Sequence, residues 1–342
     1  MHSSLLSIST FLCLAVAFAD IPSSSAYAAD EDSATIRVGV IGLDTSHALA
    51  FTKELNRTET SSGSPRLRVV AAYPFGSHDI QSSASRIPAF TTDIRALGVE
   101  VVDSIADLLK QVDCVLLETN DGRLHLEQAK EVFAAKKPVF IDKPLAASLA
   151  DALAIYDAAE ASGVPMFSSS ALRYGGNSQA IRHGSVGRVL GCDAYSPCAT
   201  EPTHSDLFWY GIHGVETLFT CMGPGCESVT RISTDDYDVV VGKWSDGRIG
   251  TFRGMRSGKS GYGGTVFGEK GIETLAKFEG YKPLVEVIVD FFRTNNVPVP
   301  AEETIEIYAF MEAAAESKRQ GGIPVTLASV IAHARELKPK NP

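Results

Sequence analysis

The chain has 342 residues, of which 44% are hydrophobic and 21% charged. That is enough for two domains with full cores, so no metal or disulfide staple is needed for stability. The net charge is −10 and the basic residues form no run, which excludes the electrostatic footprint of a nucleic-acid or anionic-membrane partner.

The first element is the apolar run Leu5 to Ala19, too short to span a bilayer. It is followed by the small-x-small triplet Ala26-x-Ala28 and by acidic Asp30-Glu31-Asp32. Together these predict a secretory signal over residues 1–28, export to the periplasm or the extracellular space, and no membrane attachment after cleavage. Cleavage leaves Cys114, Cys192, Cys198, Cys221 and Cys226, an odd set that cannot pair completely within one chain. Export permits disulfides in the short spacings Cys192/Cys198 and Cys221/Cys226, with buried free thiols as the default. Neither spacing is C-x-x-C, and neither has a nearby His, so no metal site is predicted.

From Ile36 onward short apolar runs alternate with helical stretches. Ile36–Ile41, Leu67–Tyr73, Val112–Glu118, Val139–Ile141 and Val164–Ser168 read as strands. Between them, 47–56, 104–111 (capped by Ser104), 124–135 and 149–162 (stopped by Gly163) read as helices, and Gly76–Ala89 as a Ser-rich turn segment. This alternation predicts a Rossmann-like, doubly wound parallel sheet over 34–170. Beyond it, Val189–Tyr195, Val229–Thr234, Val239–Trp244, Ile249–Met255 and Gly264–Phe267 read as strands without intervening helices, with a hairpin at Asp246-Gly247. Helices over 284–294 and 302–320 follow. Residues 171–342 are therefore expected to form an α+β domain with an open, mostly antiparallel sheet.

Ligands of a doubly wound sheet bind outside the carboxyl ends of its strands. The first strand ends in Gly42-Leu43-Asp44-Thr45-Ser46-His47. A dinucleotide fingerprint places Gly at the first, third and sixth of these positions, and only Gly42 is present. Asp44 sets a carboxylate where a pyrophosphate would approach. Thr45 and Ser46 offer hydroxyls and helix N-terminal amides to phosphate, or serve as ordinary caps. The second strand ends in Tyr73-Pro74, without the acid that holds an NAD ribose; Tyr73 can stack on adenine or pack.

The stretch Cys114 to Pro144 contains Thr119, Asn120, His125 and Asp142-Lys143-Pro144. It resembles the strand, T-P/N-x-x-x-H, helix and E-K-P pattern of the glucose–fructose oxidoreductase and inositol dehydrogenase (Gfo/Idh/MocA) family, with Asp for the usual Glu. Leu172-Arg173-Tyr174, the turn Gly184 to Val189, the segment Gly211 to Glu216, and the closing helix with Ile323-Pro324-Val325 resemble further family features. The resemblance implies an NAD(P)-dependent oxidoreductase acting on a sugar, polyol or glycoside, either by net oxidation or redox-neutral with a tightly held cofactor, and a homo-oligomer. It implies that Lys143 and His213 are catalytic. It assigns Gly42, Leu43, Asp44, Thr45, Ser46, His47, Tyr73, Thr119, Asn120, His125, Asp142 and Lys143 to the cofactor, and Arg173, Tyr174, Trp209 and Tyr210 to the substrate. Family members carry Asp four residues before the His, where this chain has Trp209. His204, Asp206 and Glu216 lie nearby and read as loop or helix-surface residues. The alternative is a non-catalytic carbohydrate-binding protein that keeps the fold without the cofactor.

Overall fold

In the computed structural model, residues 35–57 and 65–337 are described; the expected signal segment lies outside them. The first sheet has six strands, β1 (Ile36–Ile41), β2 (Leu67–Tyr73), β3 (Glu100–Val101), β4 (Cys114–Leu117), β5 (Val139–Ile141) and β6 (Met166–Ser168). Their order is β3-β2-β1-β4-β5-β6, and every pairing is parallel. Val115, Leu116 and Leu117 are wholly buried, as a strand covered on both faces must be. The intervening helices are fixed by local capping. Ser104 and Ser148 accept the N–H groups of Asp107 and Asp151, each at 3.1 Å, and helix Leu149–Ser162 stops at Gly163.

The second sheet has seven strands, β7 (Val189–Pro197), β8 (Cys226–Ser233), β9 (Tyr237–Trp244), β10 (Ile249–Met255), β11 (Gly263–Gly268), β12 (Gly271–Thr274) and β13 (Val325–Thr326), in the order β12-β11-β7-β10-β9-β8-β13. The Asp246-Gly247 turn joins β9 to β10 as an antiparallel hairpin. The sheet is mixed, because β7 runs parallel to β10. Helices Ile212–Met222 and Ala301–Arg319 cover one face. The other face carries exposed Tyr195, Ile232, Tyr237 and Ile249.

Two expectations are corrected, and the default reading of the cysteines holds. Gly76–Ala89 is not all turn: it contains the short helix Gln81–Ala84 and the start of helix Ile87–Ala96. Helix Lys282–Thr294 packs back on the first sheet, with Leu284, Ile288 and Phe291 sharing a core with Val38, Phe51 and Phe167. The five described cysteines are free and buried. Cys192 lies within hydrogen-bonding reach of Cys221, not of its sequence neighbour Cys198, because strand β7 packs under the helix that carries Cys221.

Candidate functional site

The loops that leave β1, β2 and β4 are drawn together at the carboxyl edge of the first sheet. Gly42 has φ of 96°, and a Cβ there would stand 2.4 Å from the Thr119 nitrogen, so only glycine lets the β1 loop lie against the β4 loop. Asp44 is turned away from solvent. It accepts the Asn120 N–H at 2.9 Å and abuts Gly76, where a Cβ would meet its Oδ2 at 2.6 Å. Burial pushes the Asp44 carboxyl up to about 6. The folded state therefore holds this proton more tightly than the unfolded chain, and the corresponding stability is lost as pH rises from about 4 through about 6. Asp44→Asn, which cannot ionise, should gain on the wild type by roughly 2 kcal/mol between about pH 4.5 and pH 7.5. Thermal melts at the two pH values measure this, and a pH-independent difference would refute it.

Thr45, Ser46, His47, Asn120 and Lys143 from the first sheet, and Trp209, Tyr210 and His213 from the second half, line one cleft of about 260 Å³. Sequence reasoning missed Arg86, Ser170, Tyr262 and Tyr281, which also line it. Gly42, Leu43, Asp44, Thr119, His125 and Asp142 are buried behind its wall. His125 braces that wall, its ring nitrogens 3.0 Å from the Leu145 carbonyl and 2.6 Å from that of Thr119. Tyr73 stacks on Phe75 at 5.6 Å, outside the cleft.

Arg173 and Tyr174 do not reach the cleft lining. The Arg173 guanidinium is held between Glu216 at 2.8 Å and Glu303 at 2.6 Å, with both acids buried. Glu216 is thus not a helix-surface acid. It accepts the Ser169 hydroxyl at 2.6 Å and the Ser170 N–H at 2.8 Å. Ser170 in turn sets the catalytic candidate His213, its Oγ lying 2.8 Å from Nδ1. Tyr210 and Tyr262 flank the imidazole edge-on. Burial, helped by the charge of Lys143, pushes His213 well below the usual histidine range, so the ring is neutral. Trp209 packs against His204 at a tilt, with ring centroids 4.8 Å apart. His204 is no loop-surface residue: it is buried 3.3 Å from Asp121, and burial pushes it down to about 4. Asp206 is spent on Arg231 and Lys318.

Beneath the cleft, His47 Nδ1 lies 2.7 Å from Asp142 Oδ2, and Lys143 Nζ lies 3.7 Å from the same oxygen. Burial would raise Asp142, but His47 and Lys143 bring it below the usual carboxylate range. Glu118 sits beside them, fully buried; burial, and then the Asp142 charge, drives it well above that range.

Residues 36–169 match the profile of a family described as an oxidoreductase family with an NAD-binding Rossmann fold (Gfo/Idh/MocA). Over that segment, which holds the first sheet, the chain is similar to this oxidoreductase family. No protein of curated function matches it by sequence. Solved structures with the same fold include scyllo-inositol dehydrogenase from Lactobacillus casei with bound NAD(H) and scyllo-inositol, at 16% identity and TM-score 0.68 over 86% of this chain and 99% of that one. Another is GenD2 from gentamicin A biosynthesis in complex with NAD, at 17% identity and TM-score 0.69 over 85% and 96%. A third is myo-inositol dehydrogenase from Lactobacillus casei in complex with NAD(H) and myo-inositol, at 17% and TM-score 0.67 over 85% and 96%.

Most of the carboxyl edge of the first sheet fits the cofactor that the family description names. Thr45 and Ser46 at the N-terminus of helix Ser46–Arg57, with Arg86 and Asn120, bring hydroxyl, amide and guanidinium donors to the cleft, a set suited to a diphosphate. Asp44 does not oppose it, being turned inward. Farther out, Arg123 from the β4 loop bridges Asp121 at 2.6 Å and Asp79 of the β2 loop at 2.7 Å, and Ser77 donates to Asp121. These ion pairs tie the β2 loop to the β4 loop.

Proposed function

We propose that the chain is an NAD(P)-dependent oxidoreductase acting on a secondary hydroxyl of a polyol or sugar ring. One observation carries the reading: Lys143 and His213, projected from the two halves of the chain, face one cleft of about 260 Å³. Its Trp209 and Tyr210 faces suit the C–H surface of a ring. The nicotinamide, when bound, supplies the hydride acceptor. The uncharged form of Lys143 takes the proton of the hydroxyl as the hydride leaves, and Asp142 beside it steadies the ammonium that forms. His213, neutral and fixed by Ser170, orients that oxygen through a hydrogen bond. Thr45, Ser46, Arg86 and Asn120 would hold the diphosphate of the bound cofactor.

The same proposal places the mature chain outside the cytoplasm, following the leader-like residues 1–28, and has the cofactor retained between turnovers. Arg123 serves that retention by tying the β2 loop to the β4 loop. Arg123→Ala should accelerate nucleotide release several-fold, read by stopped-flow fluorescence of the reduced nicotinamide; unchanged release would remove Arg123 from this role. The chain pairs with its own copy through the open face of the second sheet, where Ile232 is 70% and Ile249 55% exposed. Light scattering should find an oligomer that Ile232→Glu with Ile249→Glu converts to monomer. A wild-type monomer would overturn that part.

The decisive test has two steps. Mass spectrometry of denatured purified protein should find released NAD or NADP. The protein should then transfer hydride from at least one member of a panel of inositols, hexoses and glycosides. Absence of both bound and titratable nucleotide would defeat the proposal.

A further inference from the structure

We propose that His47, Glu118 and Asp142 form a binding site for one divalent transition-metal ion in the floor of the cleft. The three residues leave different elements of the first sheet: His47 opens the helix after β1, Glu118 follows β4 and Asp142 follows β5. The parallel topology sets β1, β4 and β5 side by side, which brings an imidazole nitrogen and two carboxylate oxygens within 4.8 Å of one another. All three side chains are buried.

The observation that points to a ligand is Glu118. It is wholly buried, yet neither of its carboxylate oxygens has a hydrogen-bond partner, and Asp142 Oδ1 beside it has none either. Orphaned buried carboxyl oxygens are costly. The polar groups nearby are already engaged: His47 Nδ1 with Asp142, and the Asn120 N–H with Asp44. Lys143 Nζ approaches the opposite oxygen of Asp142. A cation between the three residues satisfies Glu118 and Asp142 together.

One imidazole with two carboxylates is a mixed nitrogen–oxygen set, which suits zinc, manganese or ferrous iron better than the all-oxygen preference of magnesium or calcium. Ligands about 2.0–2.2 Å from one ion lie roughly 3–4 Å apart, so the set closes by a small inward movement of side chains. His47 also lines the cleft, which leaves the remaining coordination positions on the side where a small molecule enters. The inference does not depend on nucleotide binding.

The test uses the full-length mature protein, stripped with chelator and titrated with Zn²⁺ or Mn²⁺ alone. Calorimetry and elemental analysis should find one ion per chain, and the melting temperature should rise with metal. Glu118→Gln and His47→Asn should each weaken binding by roughly 10–100-fold or more. Zinc-edge X-ray absorption of the wild type needs no variant and should show a nitrogen–oxygen shell with a single imidazole. No stoichiometric metal, equal binding by folded variants, or a sulfur-containing shell that places the ion on the cysteines would each overturn the site. Nucleotide release and hydride transfer are read separately, so this site can fail while the oxidoreductase proposal stands, and the reverse.

Discussion

Lys143→Ala is expected to lower turnover of the polyol substrate by roughly 10²–10⁴-fold, the range for removing a positioned proton acceptor. Lys143 Nζ has one charged neighbour within 4 Å among the described residues, Asp142 at 3.7 Å, and its side chain is one-tenth exposed, toward the cleft. Its removal costs the reacting oxygen its proton acceptor and leaves the buried fold largely intact. Steady-state kinetics should place the loss in kcat more than in KM. His213→Ala should cost less, because a ring that is already neutral supplies a hydrogen bond and not a charge. If Lys143→Ala keeps near-wild-type turnover, the lysine is a cleft-wall residue and another base must be sought.

Arg173→Met should be the most destabilising single substitution at the junction of the two halves, costing about 3–5 kcal/mol. The arginine lies between two buried acids, and among the described residues Glu216 has no second cation to turn to, whereas Glu303 keeps Arg182 at 2.6 Å. Urea unfolding measures the loss. The double variant Arg173→Met with Glu216→Gln should recover part of it, since the stranded charge is then removed. A cost below about 1 kcal/mol, the range of exposed ion pairs, would mean that water reaches the site. Because Glu216 holds Ser169 and Ser170, the same variant should also loosen His213 and lower kcat at temperatures where the chain is still folded.

Where local chemistry decides an element, the sequence was readable. The branched runs Ile36–Ile41, Leu67–Tyr73 and Ile249–Met255 are strands with those bounds, and 149–162 is the helix that Ser148 and Gly163 delimit. Helix Ile87–Ala96 escaped because a single residue of it, Ile94, is buried, leaving no apolar period to read. The parallel contact of β7 with β10 escaped because pairing direction is not encoded locally. In the site, the residue after each parallel strand is predictable from topology, which is why Thr45, Asn120 and Lys143 could be named. Partners from distant segments could not be. Glu216 looks like any helix acid until Arg173 and Ser170 are folded against it, and Tyr262 and Tyr281 enter the cleft from segments with no strand–helix alternation to mark them. Glu118 did leave a trace, a carboxylate ending an otherwise apolar strand.

Strand β7 finds both of its neighbours late in the chain: Ala194 is paired with Phe252 on one side and Gly264 on the other, and β13 closes the far edge with Val325 against Val229. The second sheet therefore has high contact order, and its loop-closure entropy falls due before most of its hydrogen bonds can form. Until residues beyond 264 are available, β7 offers both edges to any other strand. A chain that crosses a membrane unfolded and completes this sheet afterwards would spend its most aggregation-prone interval on the far side, with the sticky strand already emerged and its partners still to come.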